Sequence, residues 1–287
     1  MRIFLCIMNS YPPSIIAMNS VAALKHRELP RKIVLKTPVT AVPFNVQIET
    51  MTDWARQRES RTVCVANVHM LTEAYQNPEF ASVLQEADLV TPDGMPLVWM
   101  LRWLGTQEQD RVAGLDIFVA LCHLASLQGI SIFFLGSDDD TLGRIRTRLQ
   151  QEFPDLKIAG MQSLPFRPLT ESEDAAIIEQ INTSGAGFVF LALGCPKQEQ
   201  WIAQHKHKVQ AVMLGLGWAF TVYAGIQNRA PRWMQKAGLE WLYRLALEPG
   251  RLSQRYWHSN RLFIQLAIKQ LLSAKYAPRL HSPMTEG

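Results

Sequence analysis

The 287-residue chain lacks a long uninterrupted apolar segment. No run approaches the roughly 18 to 20 uncharged apolar residues that a membrane-spanning helix requires. The N-terminal stretch MRIFLCIM is too short for the hydrophobic core of a signal peptide, and polar residues and two prolines follow it. We therefore expect neither a spanning helix nor export, and place the protein in the cytoplasm.

Charge and cysteine are also scarce. Charged residues make up 19% of the chain, below the share of about 25% that is usual in globular proteins, and 48% of residues are hydrophobic. This composition is typical of a chain that buries much of its surface or contacts something apolar. The cysteines form no CxxC pair and lie in apolar surroundings, which predicts reduced core thiols at Cys6, Cys64, Cys122 and Cys195.

Several catalytic signatures are missing as well. The absence of HExxH, of a P-loop lysine motif and of a Ser-His-Asp order argues against a zinc protease, a P-loop NTPase and a triad hydrolase. A full Gly-x-Gly-x-x-Gly does not follow the apolar run that ends at Gly136, and no acid ends the next strand signal, KIAG. Dinucleotide binding is therefore weakly supported.

From about residue 60 the chain alternates between strand and helix signals. The short apolar runs are RTVCVAN, ISIFFLG, GFVFLALG and VQAVMLGLG, at 61–67, 130–136, 187–194 and 209–217. Helical stretches at 140–152 and 170–182 separate them, and Thr170 with Glu173 forms a capping-box pattern. The alternation predicts an α/β fold with a mostly parallel sheet and helices on both faces.

Such a fold predicts where the site lies. Ligands bind beyond the carboxyl ends of the strands, where loops and helix N-termini converge. The positions that fall at those ends are Asn67, Asp93, Gly136, Cys195-Pro196, Gly215 and Gly217.

Asp93 and Gly94 lie between an apolar run and a helix almost without charge, in LVTPDGMPLVWMLRWLG at 89–105. Asp93 either caps that helix or supplies an acid to a reaction. Spacing alone favours the cap.

Other polar segments leave alternatives open. The acids at 138–140 either hold a divalent ion or cap the helix that begins near Thr141, and capping is the simpler interpretation. In LGCPKQEQW, residues 197–199 either point into the cleft or form a solvated first turn. Arg111 pairs either with a diphosphate or with Asp93. His69, in an apolar helix start, is interpreted as structural.

Beyond Gly225 the strand signals stop and basic residues alternate with aromatic ones. Residues 229–281 hold ten Lys and Arg against two Glu, a charge of +8, while the remaining 19 basic and 23 acidic residues give −4. The asymmetry indicates a partner with negative charge: phosphate, anionic lipid or nucleic acid. Residues 257–274 predict a helix with a wide apolar surface that either packs on the core or lies in a membrane interface, and the charge favours the membrane.

Seven segments, in this order, resemble the WecG/TagA/CpsF family of bacterial glycosyltransferases. They lie between residues 38 and 257 and read VANVHMLTEA, ADLVTPDGMPLVWMLRWLG, DRVAGLDIF, FFLGS, LALGCPKQEQWI, GLGWAFTVYAG and RAPRWMQKAGLEWLYRLALEPGRLSQRYW. The resemblance implies a Rossmann-like sheet and inverting transfer of a sugar, often N-acetylmannosamine or its uronic acid. The donor is a UDP-sugar, the acceptor a polyprenyl-diphosphate-linked sugar, and no metal or cofactor is required.

The resemblance also implies roles for single residues. Asp93 corresponds to the proposed general base, Asn67 to the active-site asparagine, Arg111 to the arginine and Gln198 to the glutamine. The arginines of the family's C-terminal appendage fall on Arg244, Arg251 and Arg255. The glycines Gly94 and Gly136 complete the substrate-binding candidates. Some similar members have a threonine, with a hydroxyl that can contact substrate, where this chain has Val65. The resemblance therefore does not extend to the sugar specificity of those members.

A physical account joins these candidates. Transfer with inversion needs a base for the acceptor hydroxyl and cations for the departing UDP. Burial in an apolar setting raises the pKa of a carboxyl toward what a base needs, which suits Asp93. Without a metal, the positive charge comes from arginines, and the basic tail supplies them on an anionic membrane.

We therefore expect three segments: an N-terminal extension at 1–37, an α/β glycosyltransferase core at 38–225 and a basic, aromatic, membrane-proximal appendage at 226–287. The expected product enters cell wall, capsule or exopolysaccharide, at the inner face of the plasma membrane. Expected partners are the donor, the lipid acceptor, the anionic membrane and a second copy in a homo-oligomer, but not nucleic acid. One alternative is a non-catalytic nucleotide-binding or regulatory module whose tail binds nucleic acid or a partner; another is an NAD(P)-binding oxidoreductase.

Overall fold

A computed structural model of the chain describes residues 29–276 except residue 166. The strands in this part are β1 (Arg31–Val34), β2 (Thr37–Thr40), β3 (Arg61–Ala66), β4 (Leu89–Pro92), β5 (Ile132–Gly136), β6 (Ile158–Gln162), β7 (Phe188–Ala192) and β8 (Val212–Gly215). The helices are α1 (Phe44–Arg56), α2 (Val68–Gln76), α3 (Pro78–Glu86), α4 (Met95–Trp103), α5 (Gly114–Gln128), α6 (Asp139–Glu152), α7 (Glu171–Thr183), α8 (Lys197–His205), α9 (Trp218–Tyr223), α10 (Arg232–Lys236), α11 (Glu240–Leu247) and α12 (Pro249–Tyr276).

Six strands form one parallel sheet in the order β4-β3-β8-β7-β5-β6. Alternate strand residues contribute to different hydrophobic clusters, as the period of two in a strand requires. Val63, Phe134 and Phe190 pack with α1, α5, α6 and α9. Their neighbours Phe133 and Val189 pack with α7 and α8 on the other face. The predicted parallel sheet with helices on both faces is confirmed.

The order of the strands opens a cleft at their carboxyl edge. The chain leaves β3 for α2, which joins one cluster of the core, and leaves the adjacent β8 for α9, which joins another on the opposite face. Neighbouring strands whose connections depart to opposite faces leave a crevice between those connections. The predicted strand-end residues Asn67 and Asp93 follow β3 and β4 directly, and Gly136 and Gly215 are the last residues of β5 and β8.

Two helix starts confirm local predictions. Thr170 accepts from the backbone N–H of Glu173, whose carboxylate accepts in return from Thr170 N, and this is the capping box expected before α7. Asp138 caps α6 by accepting from Thr141 N at 2.8 Å, so the simpler interpretation of the acids at 138–140 is confirmed.

A hairpin precedes the parallel sheet. β1 and β2 pair antiparallel and pack on the cluster that contains α2, α3 and α4. Sequence patterns before residue 60 did not predict this hairpin, and the segment boundary expected at residue 37 falls at the first residue of β2. Most of the expected N-terminal extension, and Cys6 with it, lies outside the described residues.

Up to residue 276, where the described part of the chain ends, the helices of the appendage are α10, α11 and the 28-residue α12. One face of α12 packs on the core, where Leu252, Phe263 and Ala267 are buried. Between residues 29 and 276, leaving aside residue 166, no helix has both the length and the apolar character that crossing a membrane demands. The three described cysteines are free thiols, with Cys64 and Cys122 buried and Cys195 half-buried.

Candidate active site

A cavity of about 2110 Å³ opens at the carboxyl edge of the sheet, between the core and the appendage. Eight of the nine residues predicted for the site line it: Asn67, Asp93, Gly94, Arg111, Gln198, Arg244, Arg251 and Arg255. Gly136 does not; a Cβ at this position would lie 2.8 Å from the carbonyl oxygen of Ala192, and the next residue, Ser137, lines the cavity. The structure thus brings together side chains that are up to 188 residues apart in the chain, from Asn67 to Arg255.

Asp93 follows β4, where its backbone N–H donates to the carbonyl of Ala66 at 2.8 Å. Gly94, not Asp93, is the N-cap of α4, and no side chain caps that helix. The interpretation of Asp93 as a cap is therefore wrong. Asp93 directly follows β4 and lies one position before the N-cap, so its carboxyl does not cap α4. Burial raises the pKa of Asp93 to about 7, and its carboxyl faces the cavity unengaged by the helix.

Arg111 lies in the loop before α5 and its partners come from two directions. Its Nη1 forms an ion pair with Glu240 of the appendage, and its Nη2 donates to Gln235 Oε1 at 3.0 Å. Asp116 Oδ2 lies 3.7 Å from the same Nη2. Within the described residues Arg111 forms no ion pair with Asp93, so the alternative of an Arg111–Asp93 pair is wrong.

Asn67 is the N-cap of α2, and its Oδ1 accepts from the backbone N–H of Met70 at 3.2 Å. The cap fixes the orientation of the amide and leaves Nδ2 as the donor for a ligand in the cavity. His69 Nδ1 lies 3.3 Å from the hydroxyl of Ser259 on α12. Burial, followed by the charge of Arg255, lowers the pKa of His69 to about 4, which makes it a neutral side chain that links α2 to α12.

Gln198 is buried at the start of α8 in a cradle of glycines. Its Oε1 accepts from Gly194 N at 3.2 Å and its Nε2 donates to Glu199 Oε1 at 2.7 Å. A Cβ at Gly215 would lie 2.8 Å from Gln198 Nε2, and one at Gly217 would lie 3.1 Å from its Oε1. The amide is therefore fixed by hydrogen bonds on both of its polar atoms and by close backbone on either side.

Glu199 is fully buried behind Gln198. Its Oε1 accepts from Gln198, and its Oε2 has no hydrogen-bond partner among the described residues. Burial raises the pKa of Glu199 to about 7. Of the two alternatives for residues 197–199, the cleft interpretation fits Gln198, which lines the cavity, and Lys197 is exposed at the cavity edge, while Glu199 turns inward and fits neither alternative.

The appendage arginines differ in their surroundings. Arg244 lies over the ring of Trp218 at 4.3 Å, and exposed Arg251 forms an ion pair with Glu248. Arg255 is half-buried, and its Nε has no hydrogen-bond partner among the described residues. Burial lowers the pKa of Arg255 below its ordinary value. An anion that reached Arg255 would complete its hydrogen bonds, since a guanidinium matches phosphate oxygens in a fork.

Sequence reasoning missed three residues that shape the site: Asp116, Arg229 and Glu240. Arg229 donates with both Nη atoms to the two carboxylate oxygens of Asp116, at 2.6 and 2.7 Å. Glu240 is one of only two acids between residues 229 and 281, a basic stretch, and this was the signal available in the sequence. No local pattern indicated its partner, which lies 129 residues away.

A cavity at the carboxyl edge of a parallel sheet is where α/β folds bind their ligands, and in this protein an acid and several arginines line it. The sequence profile of the glycosyl transferase WecG/TagA/CpsF family matches residues 32–277. The chain belongs to this family, as the resemblance predicted.

Two relatives bear the name N-acetylglucosaminyldiphosphoundecaprenol N-acetyl-beta-D-mannosaminyltransferase. The one from Bacillus spizizenii strain W23 is 34% identical over 201 residues, which cover 70% of this chain and 76% of the relative. The one from Bacillus subtilis strain 168 is 33% identical over 196 residues, which cover 68% of this chain and 75% of the relative.

Proposed function

We propose that the protein transfers a sugar, of the N-acetylmannosamine type, from a UDP-sugar to an N-acetylglucosaminyl-diphosphate-polyprenol acceptor with inversion at the anomeric carbon. Membership of the family supports the reaction class, and the names of the two relatives support the sugar and the acceptor. The observation that carries the proposal is Asp93, a carboxyl with a pKa of about 7 that faces a cavity lined by arginines. The product serves the synthesis of a cell-wall or surface polysaccharide.

The proposed step is an in-line displacement. The carboxylate of Asp93 accepts the proton of the acceptor hydroxyl, the hydroxyl oxygen forms a bond to the anomeric carbon, and the bond from that carbon to the UDP oxygen breaks. Arg244, Arg251 and Arg255 provide positive charge for the departing diphosphate, so that the reaction proceeds without a metal ion. Asn67 Nδ2 and the Gln198 amide are preorganised donors for substrate hydroxyl or carbonyl groups.

The surface of α12 supports work at an anionic membrane. Trp257, Ile264, Ile268 and Leu272 follow one another along the helix and are 75%, 57%, 54% and 53% exposed, respectively. An amphipathic helix with basic neighbours and an exposed tryptophan binds the interface of an anionic bilayer. We propose that this stripe holds the protein at the inner face of the plasma membrane, where the lipid acceptor lies.

A turnover screen tests the function. UDP-sugars are offered together with a short-chain polyprenyl-diphosphate-linked N-acetylglucosamine, with and without EDTA, and UDP release is measured. We expect one UDP-sugar to react, only when the acceptor is present, and at the same rate in EDTA. Retention on DNA or stabilisation by NAD(P), with no turnover of any UDP-sugar, would instead favour the alternative functions.

The same assay tests the base. Asp93→Asn should keep UDP binding in a thermal-shift measurement and lose at least about 100-fold in turnover, since it removes the proton acceptor. Asp140→Asn, an identical change at an exposed acid of α6 outside the cavity, should have no effect. An active Asp93→Asn enzyme would show that Asp93 is not the base.

A further inference from the structure

A polar network connects the core to the appendage beside Asp93. Its members are Arg111 and Asp116 from the core, and Arg229, Gln235 and Glu240 from the appendage. The side chains of Arg111, Asp116 and Glu240 are only 13%, 12% and 21% exposed. Charges that are largely shielded from water interact strongly with one another. The choice of pairing partner for each side chain therefore has a large effect on the electrostatics of the site.

The direction of the Arg111 guanidinium is the central feature of this network. Its positive charge acts on Asp93 and lowers the pKa of that carboxyl, yet the two side chains form no ion pair. Glu240 forms an ion pair with Nη1 of Arg111, and Gln235 accepts a hydrogen bond from Nη2. A carboxylate oxygen of Asp116 lies 3.7 Å from the same Nη2. The appendage thus engages both ends of a cation whose other nearby carboxylate, Asp116, already accepts from both Nη atoms of Arg229.

A direct pair with Arg111 would weaken Asp93 as a base. An arginine paired with a carboxylate stabilises the ionised form and lowers its pKa by about 1 to 3 units. It would also place a guanidinium between the carboxylate oxygens and an acceptor hydroxyl, which must come within hydrogen-bond distance to transfer its proton. The position of Arg111 therefore decides whether Asp93 is open to the acceptor.

Charged groups act on Asp93 from the loop before α5, from α5, from α11 and from the segment before α10, where Arg229 lies and has its own pKa raised in part by Asp93. Beyond burial, which has the largest effect on the Asp93 pKa, Arg111 and Arg244 lower it while Glu240 and Asp116 raise it. Glu240 therefore affects the Asp93 pKa in two ways: through its own negative charge, and by fixing the position of the Arg111 guanidinium. Both effects have the same sign.

We propose that Glu240 is a positioning residue of the active site, which holds the Arg111 guanidinium away from Asp93 and keeps that carboxylate unpaired while the appendage is docked. This proposal rests on the proposed role of Asp93 as the base. The appendage then contributes to turnover through a side-chain contact in addition to any contact with lipid.

The pH dependence of turnover tests the proposal. In Glu240→Gln the acidic limb of kcat/KM should move to lower pH by about one unit or more, because the variant removes the Glu240 charge and lets Arg111 pair with Asp93, and that pairing should make the plateau roughly tenfold lower. Glu240→Asp keeps the charge and should leave the limb near its original position. Glu108→Gln, the same change at an exposed acid between α4 and α5, should leave both limb and plateau unchanged. Loss of rate in Glu240→Gln with an unmoved limb would mean that Glu240 only docks the appendage, which overturns the proposal.

A second measurement does not depend on turnover. The titration of Asp93 is followed by carboxyl NMR, assigned with Asp93→Asn, in the full-length wild type, in Glu240→Gln and in Arg111→Met/Glu240→Gln. We expect the Asp93 pKa to fall in the single variant and to rise again in the double variant, which has no cation to pair. An unchanged Asp93 pKa in Glu240→Gln overturns the role of Glu240, whereas a wild type that turns over no UDP-sugar but titrates as expected refutes only the proposed function.

Discussion

At the scale of single residues, the chemistry of this site comes from where ordinary side chains are placed. Asp93 is an acid of ordinary type whose pKa rises to about 7 because it lies at a buried strand end. Gln198 is an amide whose orientation is set by Gly194 and Glu199. In both cases the surrounding structure determines what the side chain can do.

The raised pKa of Asp93 predicts the pH dependence of turnover. The carboxylate is the form that accepts a proton, so a folded-state pKa of about 7 leaves Asp93 protonated and inactive below that pH. We expect kcat/KM to rise about tenfold per pH unit up to roughly pH 7 and then to level off. The profile is measured between about pH 5 and about pH 9 in one mixed buffer, and a limb near pH 4 would indicate a base with an ordinary pKa.

The glycine cradle predicts the effect of a single methyl group. Gly215→Ala places a Cβ 2.8 Å from Gln198 Nε2 and 3.0 Å from Glu199 Oε1, which displaces the amide from the cavity wall. Turnover should fall about 10- to 100-fold, as expected when a group that positions the substrate is displaced. The free energy of unfolding should fall by about 1 to 3 kcal/mol, because the added methyl group overpacks the cradle. Gly143→Ala in α6, where a Cβ meets nothing within 4 Å, is the matched control and should stay active with equal or greater stability.

At the scale of elements, α12 resolves two interpretations that the sequence left open. Its apolar surface is wide, and only part of it is buried against the core. Phe263 and Ala267 are buried against the core, whereas Trp257, Ile264 and Leu272 remain exposed. The helix therefore packs on the core and still presents an apolar stripe, so the packing interpretation is confirmed and the membrane interpretation stays a prediction.

The exposed stripe predicts binding to vesicles. Leu272→Glu places a negative charge in it, outside the cavity, and should weaken sedimentation with anionic vesicles about tenfold or more. Leu127→Glu, on α5, changes an equally apolar side chain that is 70% exposed and should leave vesicle binding in place. Equal binding of both variants would refute a membrane role for the stripe.

At the scale of the whole molecule, the core and the appendage are joined by charges as well as by apolar packing. The site has no complete wall without the appendage, because Glu240, Arg244 and Arg255 all come from it. The joint between Asp116 and Arg229 is bidentate and mostly buried, with 12% and 19% of the two side chains exposed. The wall of the cavity therefore depends on the docking of the appendage.

This joint predicts the consequence of breaking it. Asp116→Asn leaves the Arg229 guanidinium mostly buried without a full charge partner, which should destabilise the docked appendage by about 3 to 5 kcal/mol. Hydrogen exchange should accelerate in α10 and α11 while the core strands stay protected. Asp53→Asn removes the partner of Arg56 in an exposed pair and should cost about 0 to 1 kcal/mol, with no change of exchange in the appendage. Unchanged exchange in Asp116→Asn would show that apolar packing alone holds the appendage.

The sequence by itself determined the features that depend on neighbouring residues. Apolar runs that end at a glycine marked β5, β7 and β8, and a capping box marked the start of α7, since hydrophobic periodicity and helix capping are local. The principle that parallel strands collect ligands at their carboxyl ends then placed Asn67 and Asp93 in one cleft.

Only the tertiary structure decided the remainder. It put β8 between β3 and β7, separated Asp93 from the cap of α4, and selected which face of α12 is buried. It also joined Arg111 to Glu240 across 129 residues. The physical reason is common to all of these features. The order of strands, the buried face of a helix and the partner of a charged group all depend on how segments far apart in the chain pack together, and the local spacing of residues does not encode that packing.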